Sequence, residues 1–210
     1  QVFLEDHLTA KGKSIEEHAM VGDNWNALQY VLKKSEEKDA FTEDFIKETS
    51  ALLMKNTGKS YQTPLGLFDS SRGDYRLVNV FAGNSSFVNY QKVPSLMKEL
   101  CKQVHQKNKE VKTIEGILQL AFDVHYNLVT IHPFADGNGR VSRLMMNYIE
   151  HYHHQPLSIV SKEDKVDYYN ALTLTREKDD ISIFRNFMME QHIKMLKKEI
   201  EKVSENTNKK

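Results

Sequence analysis

Apolar positions recur at helical spacing along most of this chain. Ile15, Val21, Trp25, Leu28 and Leu32 predict a first helix, to about Lys34, with that stripe facing inward. Ser14 and Glu17 have the spacing of a capping box at its start. Upstream, Val2 to Leu8 read as the last turns of a helix stopped by Gly12. Thr42 caps a second helix, with Glu43 and Asp44 opposing the dipole in its first turn. Phe41 and Ile46 occupy the two positions of a hydrophobic staple, and Phe45, Leu52 and Leu53 give a core face. Residues 56–74 are rich in Gly, Ser, Thr and Asp and read as a long loop. The period then changes. Residues 75–81 look extended, Gly83-Asn84-Ser85 is turn chemistry, and residues 87–90 can return, which predicts a short β-hairpin.

Pro94 opens the next helix, with Leu96, Met97, Leu100, Cys101 and Val104 inward. Thr113 caps a central helix whose seam is Ile114, Ile117, Ala121, Val124, Leu128 and Ile131. Leu118, Phe122 and Val129 broaden that seam, so the helix should be buried on most sides. Another stripe follows in Val141, Leu144, Met145, Tyr148 and Ile149, with Arg140, Arg143 and Asn147 on a different face. Two more helices are expected, one with Val166, Tyr169 and Leu172 inward, the other from about Ile181 through Phe184, Phe187 and Met188 to Ile193 and Leu196. The Lys/Glu-rich stretch from Lys197 reads as a solvated helix end or disorder. The expectation is a mainly α fold with one small hairpin: a single domain over 1–196 and a charged tail over 197–210.

Composition narrows the function classes. Lys+Arg and Asp+Glu are both 29, which argues against a body-wide field for nucleic acid. No apolar run reaches ~18 residues, so no membrane span is expected. The one cysteine, Cys101, sits in an apolar helical pattern and reads as core; a lone cysteine suits a reducing compartment, and a cytoplasmic location is expected. The start at Gln1 reads as that of a domain cut from a longer chain.

Chemistry concentrates between the central helix and the next. Pro133 disfavours the right-handed helical conformation for His132, which therefore belongs at the helix end, facing a loop. Its near-neutral pKa suits a general base. Gly137 and Gly139 permit unusual backbone angles and a close approach of amides to a ligand. Successive amides at a helix start form an anion nest, and Arg140 and Arg143 stand beside it, which implies more than one phosphate. Asp136 would repel that phosphate unless a hard cation such as Mg2+ bridged them. A polyphosphate, a metal and a base are the parts of a group transfer at phosphorus. The other histidines read as structural: His125 as packing, and His151, His153 and His154 as a solvated helix end and not a metal site. Tyr168, Tyr169 and Trp25 read as packing groups. Arg76 is read either as an ion-pair partner at the base of the hairpin or as an exposed strand residue.

His132-Pro133-Phe134-Ala135-Asp136-Gly137-Asn138-Gly139-Arg140-Val141-Ser142-Arg143 resembles the full Fic motif, HPFx(D/E)GNGRxxR, at every fixed position. The flanking helices and Gly73-Asp74-Tyr75-Arg76 also resemble a Fic core, over roughly residues 14–196. The resemblance implies a Fic-type helical bundle that moves AMP from ATP to a Ser, Thr or Tyr hydroxyl of a target protein. It implies His132 as the base, Asp136 as the Mg2+ ligand, and Gly137, Asn138 and Gly139 as the anion hole. Arg140 would meet the β-phosphate, Arg143 the γ-phosphate, and Phe134 would anchor the loop. The hairpin corresponds to the family's flap; Phe81, Ser86, Phe87, Val88, Asn89 and Tyr90 would register the target by strand-like pairing. The phosphotransferase branch of the family carries Ala and Lys where this chain has Gly137 and Gly139, so the glycines favour AMP transfer. The alternatives are another Fic transfer (phosphocholine, UMP or removal of AMP) or a nucleotide-binding regulatory module without turnover. The family's inhibitory pattern, (S/T)xxxE(G/N), is missing: Glu115-Gly116 follows Val111, and Glu205-Asn206 follows Glu201. Inhibition is then expected from a helix upstream of Gln1 or from a separate antitoxin-like partner, with Arg143 left free for the γ-phosphate.

Overall fold

The computed structural model describes residues 14–82 and 85–207. The described residues contain seven α-helices, two small hairpins and three single-turn 3-10 helices. The first helix, α1 (Ile15–Glu36), opens with the full capping box between Ser14 and Glu17. The second, α2 (Glu43–Leu53), is capped by the Thr42 hydroxyl on the Phe45 amide, and both staple residues, Phe41 and Ile46, are buried. Hairpin β1 (Ser60–Thr63) and β2 (Gly66–Asp69) follows, then β3 (Phe81–Ala82) and β4 (Ser85–Ser86). Pro94 lies in the first turn of α3 (Val93–Glu110), and Thr113 caps α4 (Ile114–Ile131). The remaining helices are α5 (Asn138–Tyr152), α6 (Lys165–Lys178) and α7 (Ile181–Thr207).

Helix α4 is the centre of the bundle: α5, α3 and α7 pack on it, while α1 and α2 cover the far side of α5. Nine of its side chains are buried, from Ile117 to Ile131. Burying one large apolar side chain contributes about 1.5–3 kcal/mol, so this seam holds α5 in place. The loop between α4 and α5 is therefore strung between two rigid helices.

Several sequence expectations need correction. On α7, Ile193 is 44% exposed and not inward. Among the described residues, the flap strands read over 75–81 and 87–90 pair only as Phe81–Ala82 with Ser85–Ser86. The inward face of α1 is not the large apolar stripe: Ile15 is 81% exposed and Val21 and Trp25 are about half exposed. Asp23, Ala27, Val31 and Ser35 are buried instead. Small side chains allow α1 to lie close against α5, and the Asp23 carboxylate is satisfied by the Asn56 backbone and amide N–H groups at 2.9 and 2.6 Å. Residues 56–74 are not a bare loop, since β1 and β2 pair in register from Ser60↔Asp69 to Thr63↔Gly66 around a turn with Gly66 at φ 123°. On α6, Tyr168, Ala171, Leu172 and Thr175 are buried, while Val166 and Tyr169 face outward. On the central seam, Ile114 is 62% exposed because it sits in the first turn, beyond the neighbouring helices. Beyond Lys197 the chain stays helical to Thr207. The helix read into residues 2–8 lies outside the described residues.

His125 is fully buried on α4, with Nε2 on the Tyr168 hydroxyl at 2.8 Å and Nδ1 without a hydrogen bond. Burial, then the nearby Arg143 charge, pushes its pKa down to about 3 from an ordinary 6.5. The unfolded chain thus takes up a proton that the folded chain refuses. Stability is full above about pH 6.5 and falls on acidification, by up to about 1.4 kcal/mol per pH unit. Glu150, pushed up to about 7 by burial, acts in the opposite sense, its contribution shrinking as pH rises. Urea unfolding at several pH values should show a shallower loss of stability below about pH 6 in His125→Asn than in the parent.

Candidate active site

His132 is the residue after the last turn of α4, in the left-handed conformation at φ 53° and ψ 60°. Its amide still bonds to the Leu128 carbonyl, and Pro133 then carries the chain away. The imidazole Nδ1 lies 3.2 Å from the Val129 carbonyl. A carbonyl only accepts, so Nδ1 carries the proton and the neutral ring presents a free lone pair on Nε2. Burial pushes the His132 pKa down; the Val129 bond raises it, Arg76 lowers it, and Asp136 raises it. The ring is therefore neutral at physiological pH. The Phe87 ring stacks on it at 3.7 Å between centroids and 19° between planes.

The loop is braced from inside. Phe134 is fully buried against Tyr75, with ring centroids 5.6 Å apart. The buried Asn138 side chain spans the loop, its Oδ1 accepting from the Phe134 N–H and its Nδ2 donating to the Phe134 carbonyl, both at 2.9 Å. Its amide group is thus committed to the loop, and only its backbone N–H is available to an anion. Gly137 takes φ 79° and caps α5, with its carbonyl accepting from the Arg140 and Val141 amides at 2.9 Å. That pattern leaves the Asn138 and Gly139 amides without a backbone acceptor among the described residues. The positive helix end adds to them.

Only one of the two glycines is required by the backbone. A Cβ at Gly137 would sit 3.1 Å from the Met54 sulfur, in a left-handed conformation that costs an L-residue about 1–2 kcal/mol. A Cβ at Gly139 would meet only Arg143 Nη1, at 3.6 Å. Thermal unfolding should therefore show Gly137→Ala destabilised and Gly139→Ala no less stable than the parent. A nucleotide titration should show weaker binding by Gly139→Ala, because its methyl group stands in the approach to the amides.

Arg140 is largely buried, with Nη1 donating to the Leu53 carbonyl at 3.3 Å and Nη2 3.1 Å from the Met54 sulfur, so the end of α2 sets its direction. Arg143 is exposed, and its guanidinium makes no hydrogen bond or ion pair with a described residue. It borders a cavity of about 430 Å³ lined also by Ser161, Lys162, Lys165, Tyr168 and Tyr169. The paired tyrosines and lysines gave no signal in the sequence beyond packing and charge. Only the fold gathers them beside Arg143. Asp136 is exposed: one carboxylate oxygen accepts the Gly137 N–H at 2.6 Å and the other lies 3.9 Å from Arg140 Nη2. Among the described residues no group of three His, Cys, Asp or Glu is placed to hold a metal. An ion here would rest on Asp136 and on ligand oxygens, which is how Mg2+ is bound with phosphates.

The flap residues divide. Phe87 and Val88 lie against the loop and core, whereas Phe81 and Ser86 stand out in solvent. Asn89 and Tyr90 turn towards α3: Asn89 Oδ1 accepts from the Gln91 amide, and the Tyr90 amide donates to Asn79 Oδ1. The remaining histidines go separate ways, His151 to Ser35 at 2.6 Å and His153 to Asn108 at 2.8 Å.

A sequence model of the Fic/DOC family matches residues 40–149. The protein adenylyltransferase Fic of Drosophila grimshawi is 30% identical over 84% of this chain, and that of Culex quinquefasciatus 29% over 84%. The chain spans about a third of the length of these relatives (34% and 33%). Among solved structures, Fic-1 (residues 134–508) of C. elegans superposes with a TM-score of 0.79 at 24% identity, over 97% of this chain and 57% of that one. A Fic-domain signalling protein of Bacteroides thetaiotaomicron superposes with a TM-score of 0.77 at 24% identity, over 90% and 74%. On the family match, the relatives and the fold together, this chain belongs to the Fic/DOC family.

Proposed function

We propose that this chain transfers the adenylyl group of ATP to a serine, threonine or tyrosine hydroxyl of a protein, with release of pyrophosphate. The observation that carries the reading is the His132 imidazole, neutral and with Nδ1 tied to Val129, standing across a braced loop from the free amides of Asn138 and Gly139. That the curated relatives are named protein adenylyltransferases supports the same group transfer.

The acceptor oxygen attacks the α-phosphorus while its proton passes to His132 Nε2. The bond from that phosphorus to the bridging oxygen breaks, and its electron pair leaves with pyrophosphate. The Asn138 and Gly139 amides and the α5 dipole stabilise the charge that develops at the phosphate. Arg140 and Arg143 hold the departing phosphates, and the cavity beside Arg143 extends the cationic track to Lys162 and Lys165, with Tyr169 offering a face on which a base can stack. Asp136 would hold Mg2+, which when bound neutralises phosphate charge. Arg143 is also the cation on which a carboxylate from an inhibitory helix or partner would act.

The test is transfer of label. Incubated with an acceptor protein, ATP labelled at the α-phosphate should mark protein, and ATP labelled at the γ-phosphate should not. Protein-bound γ-label would make the chain a phosphotransferase. Tight ATP binding with neither label transferred would make it a binding module.

A further inference from the structure

Arg76 is only 1% exposed, yet its guanidinium pairs with no carboxylate among the described residues. It meets backbone oxygens instead. Nε donates to the His132 carbonyl at 2.7 Å, Nη1 to the Val78 carbonyl at 2.7 Å, and Nη2 to the Val88 carbonyl at 2.6 Å and the Ile131 carbonyl at 3.4 Å. Its own amide donates to the Pro133 carbonyl at 3.0 Å. Val78 and Val88 are the two legs of the flap; Ile131 and His132 are the end of α4. Packing alone would be served by an apolar side chain, since burying a cation costs several kcal/mol of desolvation. The fan of donors has a geometric result: the negative, carbonyl end of α4 and both legs of the flap converge on one rigid, planar group. Phe87, the residue before Val88, is the one stacked on His132.

We propose that Arg76 is a positioning residue that clamps the flap to the end of α4, keeping Phe87 on the face of the His132 imidazole so that the base meets the acceptor only by its Nε2 edge. This rests on the reading of His132 as the base. The charged groups that bear on the ring are Arg76 itself, Asp136 in the loop and Arg176 on α6, with the Val129 carbonyl on Nδ1. Without the clamp the ring loses both a neighbouring cation and its aromatic cover. Its pKa should rise.

The experiment compares Arg76→Leu, Arg76→Lys and Phe87→Ala in the full chain. The imidazole of His132 is titrated by NMR, and transfer rates are measured against pH. The expected result in Arg76→Leu is an upward shift of the His132 titration and loss of the Phe87–His132 proton contacts. Transfer should fall about 10- to 100-fold in kcat, with KM for ATP unchanged because the amide cradle is untouched. Arg76→Lys, with fewer and unforked donors, should fall between. Phe87→Ala, which removes the aromatic cover but keeps the Arg76 cation, should raise the His132 pKa by less than Arg76→Leu and lower transfer as well. If Arg76→Leu does not fold, Arg76→Lys decides by the same titration. An unchanged His132 titration with the Phe87 contacts intact, in either folded Arg76 variant, overturns the proposal. The titration needs no turnover: a chain that transfers no adenylyl group but shows the shift retains the clamp and loses the proposed function.

Discussion

Replacing His132 with Ala should reduce adenylyl transfer by about 10²–10⁴-fold, the range of a positioned general base, while ATP still binds. Equilibrium binding of ATP and the rate of α-label transfer, measured on the same preparation, separate the two effects. The ring is held by Val129 of α4 and Phe87 of the flap and makes no hydrogen bond to the amides of α5, so its removal leaves the cradle standing. The pH profile of the parent should follow. Burial holds the His132 pKa below the ordinary 6.5, so the neutral, active form persists into mildly acidic solution and activity is lost only as pH falls through that lowered value. Equal loss of binding and transfer in His132→Ala would assign the residue to the nucleotide pocket and not to proton transfer.

The second large effect belongs to Asn138. Its side chain is the brace across the loop, and Asn138→Ala leaves the N–H and carbonyl of the fully buried Phe134 without partners. Each unpaired buried group costs about 1–3 kcal/mol, so with two of them unfolding in urea should show a loss of about 2–6 kcal/mol. Transfer should fall as well, because the amides of Asn138 and Gly139 lose their fixed direction. Asn138→Asp keeps an acceptor for the Phe134 N–H but sets a buried carboxylate oxygen against the Phe134 carbonyl, so it should be no more stable than the Ala variant. Its negative charge beside the phosphates should make it bind ATP no better. A stable Asn138→Ala with undiminished transfer would show that the backbone alone holds the loop.

How far the sequence carries depends on whether a signal is local. The capping box of Ser14, the caps at Thr42 and Thr113, and Pro94 in the first turn of α3 are each complete within a few residues, and all appear as read. That α4 ends at His132 follows from Pro133, but the left-handed conformation it takes there does not. The failures are tertiary. On α1 the buried face is set by the close approach of α5, which selects Ala27 and Asp23 over Trp25. On α6, Tyr168 and not Tyr169 turns inward because His125 waits for its hydroxyl on α4. Arg76 is the clearest case. Neither an ion pair nor an exposed strand residue describes it, because its partners are four carbonyls from three places in the chain that only the fold assembles. The motif from His132 to Arg143 marked out the loop, whereas the commitment of the Asn138 side chain to Phe134, and not to an anion, needed the fold.

The central claim is that the group moved is AMP and the leaving group is pyrophosphate. The most direct measurement counts both products in one reaction, AMP bound to acceptor hydroxyls by mass spectrometry and pyrophosphate released into solution. The account predicts equal amounts, and neither product from His132→Ala above a background about 10²-fold lower. Pyrophosphate without protein-bound AMP, or acceptor carrying phosphate in place of AMP, would contradict it.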